Sequence, residues 1–248
     1  MSTGAKAGIQ VPCSFCPLRK QPAFRDFAPE ELEFVHRFKK GELRVERGAT
    51  VLAEGAASAH FYTVLAGWGF RYKLLADGRR QIVNYVVPGD LVGLQGTLMG
   101  EMQHSVEALS AMTLCVFDRE RLFRLYEKHP SLAYDVTWIA AREECMLDEN
   151  LLAVGRRSAT ERLAYLLSFL RDRARGTGFG VEGRIPITQQ HVADTLGLSL
   201  VHTNRTVRKL VARKLIGWGE GGAAVLEPEA LAELAHWDAG TRIPRPFI

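Results

Sequence analysis

The amino-acid sequence predicts an α+β protein with three successive parts: an antiparallel β-sandwich or barrel, one long helix, and a helical C-terminal part that ends in a β-hairpin. Three observations predict it. Short β-branched and aromatic runs, separated by turn residues, occupy residues 41–116. Residues 131–154 contain neither Gly nor Pro and repeat apolar side chains at helical spacing. Residues 158–226 contain helix-capping residues, glycine turns and a glycine-rich hairpin.

The composition is that of an ordinary globular protein. Of the 248 residues, 47% are hydrophobic and 24% are charged, which is enough for one large core or two modest ones. The sequence lacks the run of about eighteen apolar residues that predicts a membrane span. Residues 1–12 also lack the pattern of a secretory signal. We therefore expect a cytoplasmic protein that does not bind membranes.

The β-rich part is recognised by its strands and turns. The predicted strands cover residues 44–51, 61–65, 70–74 and 81–87. Asp77-Gly78 is typical of a hairpin turn and joins the last two of them. Further turns are predicted at Glu54-Gly55 and at Pro88-Gly89-Asp90. Strands at this spacing are typical of an antiparallel sandwich or barrel.

The long helix predicted over residues 131–154 has two interpretations. At 1.5 Å per residue it would be about 36 Å long, longer than most helices inside one small domain. It is either a core helix packed on the β-rich part or a partner helix in a homodimer. We favour the dimer because apolar residues occupy more than one face. The expected dimer contacts are Leu132, Val136, Ile139 and Met146, and Gly155 is expected to end the helix.

The C-terminal part opens with a helix over residues 160–175. Ser158 and Glu161 have the spacing of a capping box, and Gly176 follows the last helical residue. A loop that contains Gly178, Gly180 and Gly183 then leads to Pro186.

A winged helix-turn-helix is predicted next. Thr188 is a good N-cap for a helix over residues 189–196, and Gly197 supplies the turn. Ser199 caps a second helix over residues 200–214, and the glycine-rich hairpin at residues 216–226 has the pattern of a wing.

The charge pattern of this part indicates DNA binding. Residues 156–215 contain twelve Lys and Arg residues against four acidic ones, a net charge of +8. The outward surface of the second helix is predicted to carry Val201, His202, Asn204, Arg205 and Arg208. Arg205 is suited to a bidentate contact with guanine, and Asn204 to a base edge or a phosphate.

The whole chain resembles the Crp/Fnr family of bacterial regulators. The motifs that carry the resemblance are Gly89-Asp90-Leu91-Val92-Gly93 and the segment from Thr188-Gln189-Gln190 to Arg205. It implies a homodimer that binds a palindromic DNA site and has RNA polymerase as a partner. The β-rich part would be a double-stranded β-helix, a jelly roll like the cyclic-nucleotide-binding domain. The implied parts are an N-terminal cysteine-containing segment (1–30), a sensor roll (31–128), a dimerisation helix (129–156) and a winged helix-turn-helix (157–248).

The resemblance also assigns the DNA contacts. The residues expected at phosphates are Thr188, Gln189, Gln190, Ser199, His202 and Arg208, and those expected at bases are Val201, Asn204 and Arg205. Val201 departs from the family's usual glutamate, which accepts a hydrogen bond from cytosine. Valine offers only apolar contact, for example to a thymine methyl group, so we expect an altered half-site.

A cyclic nucleotide is not the expected signal. The cyclic-nucleotide branch of the family uses a glutamate for the ribose and an Arg-Ser pair for the phosphate. Here Leu94 and His104-Ser105 occupy those positions, so cyclic AMP is an unlikely effector. The candidate effector pocket therefore comprises Gly93, Leu94, His104 and Ser105, with the lone histidine expected to be exposed.

The cysteines suggest a different signal. Cys13, Cys16 and Cys115 match three ligands of the family's iron–sulfur branch, but Pro22 occupies the place of a fourth. Four interpretations stay open: a cluster with a non-cysteine fourth ligand, a zinc site, a thiol switch, or no sensing role. Cys145 lies in the predicted long helix, where we expect it to be buried as a small apolar residue.

Two other classes of function compete with that of a DNA-binding regulator. β-Rolls also house metal-dependent enzymes, but these need clustered ligands, and His60 and His104 have no metal-ligand spacing. An enzyme is therefore not expected. The main alternative is a ligand- or metal-binding sensor that acts on a protein partner without specific DNA binding.

Overall fold

The computed structural model describes residues 11–177, 183–240 and 244–248. Gly178 and Gly180 of the predicted loop lie outside the described residues. No helix in the described ranges is long and apolar enough to cross a membrane.

The N-terminal part is a β-roll preceded by short helices. Two 3-10 turns, Cys13–Phe15 and Pro17–Lys20, lead into helix α1 (Pro29–Phe38). The strands and helices that follow are β1 (Lys39–Val45), β2 (Thr50–Leu52), β3 (His60–Ala66), β4 (Gly69–Leu74), β5 (Arg80–Val86), β6 (Leu91–Val92), α2 (Leu94–Met99), β7 (Ser105–Ala108), β8 (Met112–Asp118) and α3 (Leu122–Lys128). Within the described ranges the roll has two four-stranded antiparallel sheets, in the orders β1-β8-β3-β6 and β2-β7-β4-β5.

Hydrophobic side chains fill the space between the two sheets. Val64, Val86, Val106 and Leu114 point inward from four strands and have no exposed surface. The expected roll is thus confirmed, with one correction to its strands. Residues 44–51 do not form a single strand, because a turn with Gly48 at φ +80° separates β1 from β2.

Helix α4 (Pro130–Arg156) is the long helix, and it begins and ends slightly outside the predicted bounds. Gly155 lies inside it rather than at its end. Leu132 and Val136 are 0% exposed and pack in the core of their own chain. These two side chains are therefore not available for the dimer contact expected of them. The exposed apolar side chains of α4 are Tyr134, Leu147, Leu151 and Leu152.

The C-terminal part is a winged helix-turn-helix. Its elements are α5 (Ala159–Ala174), β9 (Arg184–Ile185), α6 (Gln189–Leu196), α7 (Leu200–Ala212), β10 (Ile216–Gly219), β11 (Gly222–Val225) and α8 (Pro228–Leu234). The wing pairs in the order β10-β11-β9, and the sequence analysis missed strand β9. Helix α7 ends two residues before the predicted Lys214, whose φ of +56° does not fit a right-handed helix.

The winged part packs directly on the roll. One hydrophobic cluster contains Phe70 and Tyr85 of the roll together with Val192 of α6. Arg80 Nε also donates a hydrogen bond to Asp194 Oδ2 over 2.8 Å. The roll therefore contacts α6 itself, in addition to its connection through α4.

Candidate DNA interface and signal sites

Reciprocal capping hydrogen bonds define the helix-turn-helix. Thr188 Oγ1 accepts a hydrogen bond from the backbone N–H of His191, and His191 Nδ1 accepts one from the backbone N–H of Thr188, both at 3.2 Å. Gly197 adopts the left-handed conformation, with φ at +64°. Ser199 Oγ then accepts a hydrogen bond from the His202 N–H at the start of α7. These local interactions confirm the predicted turn between the helices.

Helix α7 presents the predicted DNA-reading face to solvent. Val201 is 65% exposed, and His202, Arg205 and Arg208 are also exposed. The opposite face packs into the domain through Thr203, Thr206, Val207 and Leu210. The core thus holds the helix while its N-terminal half is free to enter a major groove.

Two of the expected DNA-contacting side chains contact each other. Asn204 Nδ2 donates a hydrogen bond to Gln189 Oε1 over 3.1 Å, and Asn204 is half-buried. Gln190 Nε2 donates to Asp194 Oδ1 over 2.7 Å, and Asp194 is the residue paired with Arg80 of the roll. The expected phosphate contacts of α6 are therefore linked both to helix α7 and to the β-roll.

The wing depends on one glycine. A Cβ at Gly222 would lie 2.0 Å from the carbonyl oxygen of Ile185, and the φ of Gly222 is +107°. Only glycine fits at this position, where β11 pairs with β9 and their backbones lie this close together.

A cavity of about 240 Å³ lies between the roll and α4. Gly93, Leu94 and His104 of the expected effector pocket line it. Ser105 is buried instead, and its Oγ accepts a hydrogen bond from the backbone N–H of Glu54 over 3.0 Å. The lining residues missed by sequence analysis include Arg71, Trp138, Arg142 and Glu143.

His104 is buried, which corrects the expectation that it would be exposed. It is 8% exposed, and burial together with the charges of Arg71 and Lys73 lowers its pKa to about 3. The imidazole is therefore neutral near pH 7. Among the described residues, His104 Nε2 and Arg71 Nε are both buried without a hydrogen-bond partner. Two unsatisfied polar atoms beside a cavity indicate a site for a polar ligand.

An ion pair connects this cavity to α4. Arg71 Nη1 lies 3.0 Å from Glu143 Oε1, and Asn84 Nδ2 donates to the same oxygen over 2.8 Å. Arg71 Nη2 also donates to the carbonyl of Leu91. A side chain of the cavity thus holds the roll against the long helix.

The three expected signal cysteines meet in one cluster. Cys13 and Cys115 are buried in the same hydrophobic core, and Cys16 packs against it. Lys39 lies near them and forms a buried ion pair with Glu42, at 2.6 Å from Nζ to Oε1. Burial raises the pKa of all three thiols, so they are protonated near pH 7.

This donor set does not fit a four-thiolate iron–sulfur cluster. It offers three thiols, and the charged groups beside them include the ammonium of Lys39 and the carboxylate of Glu42, which pair with each other. Across the described ranges, no three His, Cys, Asp or Glu side chains are arranged to hold a metal ion. Cys145 is exposed on α4, contrary to the expected burial, and lies outside the cluster.

The fold and the exposed recognition helix define a DNA-binding transcription regulator. Residues 42–129 match the cyclic nucleotide-binding domain family, and residues 161–234 match the Crp-like helix-turn-helix domain family. The chain belongs to the Crp/Fnr family of regulators, whose members are not enzymes.

Similar proteins support this assignment along most of the chain. The nitrogen fixation regulation protein FixK of Bradyrhizobium diazoefficiens is 34% identical over 225 residues, which cover 90% of this chain and 93% of that protein. The transcriptional activatory protein AadR of Rhodopseudomonas palustris is 31% identical, covering 89% and 91%. The structure of FixK2 from Bradyrhizobium japonicum has the same fold, with a TM-score of 0.68, 24% identity and coverage of 81% and 98%.

Proposed function

We propose that this regulator binds a palindromic DNA site as a homodimer and that a small anionic ligand between the roll and α4 controls it. The observation that carries the proposal is the pair of buried, unpartnered polar atoms beside the 240 Å³ cavity, Arg71 Nε and His104 Nε2. Arg142 and Arg245 add two further guanidiniums to the lining. A carboxylate or phosphate would accept hydrogen bonds that no described residue accepts there.

The ligand would act through the ion pair between Arg71 and Glu143. An anion at Arg71 competes with the Glu143 carboxylate, which belongs to α4. It therefore binds with different affinity to states in which the ion pair is formed or broken. Such a difference is what a ligand needs to shift a conformational equilibrium.

The dimer would form along the exposed apolar side chains of α4. Leu151 is 73% exposed and Leu152 48%, with Leu147 nearby on the same helix. Two copies related by a two-fold axis would place their α7 helices on the half-sites of a palindrome. In this proposal, Arg205, Asn204 and Val201 contact bases, the phosphate contacts are those assigned above, and RNA polymerase is a partner.

The test of the ligand is direct. Small molecules released from the denatured, purified protein are identified by mass spectrometry for the wild type and for Arg71→Gln. Arg79→Gln is the matched control, because this arginine follows the hairpin turn next to β4 and its side chain is 76% exposed. We expect an anion that the wild type and the control retain and that Arg71→Gln loses. Equal small-molecule content in all three proteins would contradict the proposal.

The test of DNA binding is selection from a random-sequence pool followed by gel-shift titration. We expect a palindromic sequence to be enriched and bound with a steep dependence on salt. Weak binding without sequence preference would instead support the alternative of a sensor that acts on a protein partner.

A second candidate signal is favoured by the meeting of Cys13, Cys16 and Cys115 in one cluster. Two of these thiols would lose two protons and two electrons to hydrogen peroxide, which gives a disulfide and two water molecules. The competing form of this candidate is a bound zinc ion or iron–sulfur cluster. Anaerobic purification followed by iron, sulfide, zinc and thiol analysis separates them, with Cys145→Ser as the control. A metal-free protein whose three thiols resist peroxide and whose DNA affinity does not change would exclude both forms.

A further inference from the structure

A second cavity, of about 440 Å³, lies where four segments of the chain meet. Arg142 of α4, Arg173 of α5, Arg175 just after α5, and Arg245 near the C-terminus line it, together with the backbone around Ala23. These elements belong to the long helix, the winged part and both ends of the described chain. Anything bound here would therefore contact the dimer helix and the DNA-binding part at once.

The arginines at this cavity outnumber the nearby carboxylates. Among the described residues, the four guanidiniums and Asp172 line the cavity, and Asp90 pairs with two of the four. These six side chains together carry a net charge of +2. Asp90 already accepts from several donors. Its Oδ2 accepts from Arg173 and from the backbone N–H of Val87, and its Oδ1 accepts from Arg245 Nη1 over 2.7 Å. One buried carboxylate is thus shared by the buried guanidinium of Arg173 and the largely buried one of Arg245.

Arg142 is left without an anionic partner. Its guanidinium lies 5.3 Å from the centre of the Trp138 ring, and it makes no hydrogen bond or ion pair with residues in the described ranges. Burial, with the like charges of Arg245 and Arg173, lowers its pKa. A half-buried group with five N–H donors beside two like charges is poorly compensated unless an anion is bound.

We infer that this junction cavity is a binding site for the phosphate group of a small phosphorylated molecule. Phosphate is the chemistry that matches, because planar guanidiniums bind its oxygens in pairs and a dianion neutralises the net charge of +2. The cavity volume lies in the range of about 300–1,000 Å³ that small-molecule sites occupy. The phosphate contacts Arg142 and Arg245, and Arg175 completes the site from the rim.

The junction cavity adjoins the cavity proposed for the roll but has lining residues of its own. Arg142 and Arg245 line both cavities, but Arg71 lines only the cavity of the roll and Arg175 only the junction cavity. Substitution of Arg71 or Arg175 therefore tells the two sites apart. A ligand at the junction holds α4, α5 and the C-terminal segment together, so it stabilises the arrangement in which the winged part packs on the roll.

The test uses the full chain and inorganic pyrophosphate as the probe, with chloride at matched ionic strength as the reference. Binding is measured by isothermal titration calorimetry and by the rise in Tm. We expect saturable binding to the wild type, a rise in Tm of a few degrees, and at least a tenfold loss of affinity in Arg142→Gln and Arg175→Gln. Arg79→Gln, the exposed control, should bind pyrophosphate like the wild type.

Two variants, Arg175→Gln and Arg208→Gln, show where pyrophosphate binds. Arg175 is exposed, so its substitution leaves the packing intact even if Arg142→Gln fails to fold. Retained affinity in Arg175→Gln, or absence of saturable binding to the wild type, would overturn the inference. So would a loss of pyrophosphate affinity in Arg208→Gln instead, because the probe would then be occupying the DNA-binding face. A further outcome is that pyrophosphate fails to bind at the junction cavity while Arg71→Gln still loses the small anion that the wild type retains. In that case the inference about the junction is wrong, and the function proposed for the roll cavity is unaffected.

Discussion

Arginine side chains occupy two contrasting regions of this protein. On α7, Arg205 and Arg208 are exposed and keep their hydration, so holding them in place costs no burial of charge. Around Asp90, Arg173 is buried and the side chain of Arg245 is only 11% exposed. Removing such charges from water costs several kcal/mol per ion unless they are paired. The exposed group is suited to DNA phosphates and bases, whereas the buried group must be neutralised within the molecule or by a ligand.

The difference separates recognition from assembly. Loss of an exposed arginine should change DNA binding and leave stability unchanged. Loss of a partner from the buried group should change stability and disturb the contact between the roll, α4 and the winged part.

The largest effect is expected for Asp90→Asn. This substitution leaves Arg173 and Arg245 buried without their anion, so the free energy of unfolding should fall by about 3–5 kcal/mol. Urea unfolding monitored by circular dichroism measures it. Asp77→Asn is the control, because the ion pair of Asp77 with Arg79 is exposed and its loss should cost less than about 1 kcal/mol. Equal losses in the two variants would refute the assembly role of the buried group.

The free energy of unfolding should also depend on pH through the Asp90 carboxylate. Burial alone would raise the pKa of Asp90, but Arg173 and Arg245 outweigh it and lower the pKa to about 2, below the ordinary 3.8. A depressed folded-state pKa means that the stabilisation is complete above about pH 4 and is lost as the pH falls toward 2. It amounts to roughly 2 kcal/mol. Across this window the wild type should lose roughly 2 kcal/mol of its stability advantage over Asp90→Asn. Parallel stability curves would contradict the assignment.

On the exposed side, Arg205→Ala should cost about 1–3 kcal/mol of binding free energy for the selected DNA site and relax the preference at one base position. Arg208→Ala should weaken binding to all sequences alike and reduce the slope of log affinity against log salt by about 1. Gel-shift titrations at several salt concentrations measure both. Neither substitution should change the midpoint of urea unfolding. If both variants lost sequence specificity to the same extent, the assignment of Arg205 to a base and of Arg208 to a phosphate would be wrong.

Local signals made the DNA-binding part predictable from the sequence. Helix α6 spans the predicted residues 189–196, because Thr188 and Gly197 mark its ends through interactions within a few residues. The exposure of Val201, Arg205 and Arg208 was also predictable, because the spacing of apolar residues along a single helix determines which of its faces is buried.

The signal sites depend on contacts between distant segments. Arg245 meets Asp90 across 155 residues of sequence, and no periodicity or capping pattern predicts such a pair. His104 appeared isolated in the sequence, but the packing of α4 over the roll buries it next to Arg71. Leu132 and Val136 belong to a row of apolar residues at helical spacing in α4. Such a row predicts that the side chains are buried, but it does not indicate whether they pack on the same chain or on a second copy.

The smallest effect concerns Gln189 and sharpens the division between phosphate and base contacts. Gln189 is predicted to contact a phosphate, so Gln189→Ala should weaken binding to all sites uniformly. The hydrogen bond from Asn204 Nδ2 to Gln189 Oε1 adds a second effect, because its loss frees the Asn204 amide to rotate. We therefore expect a uniform loss together with a drop of under about 1 kcal/mol in discrimination at the base contacted by Asn204. A double-mutant cycle with Asn204→Ala measures the coupling, and strict additivity would show that the two side chains act independently on DNA.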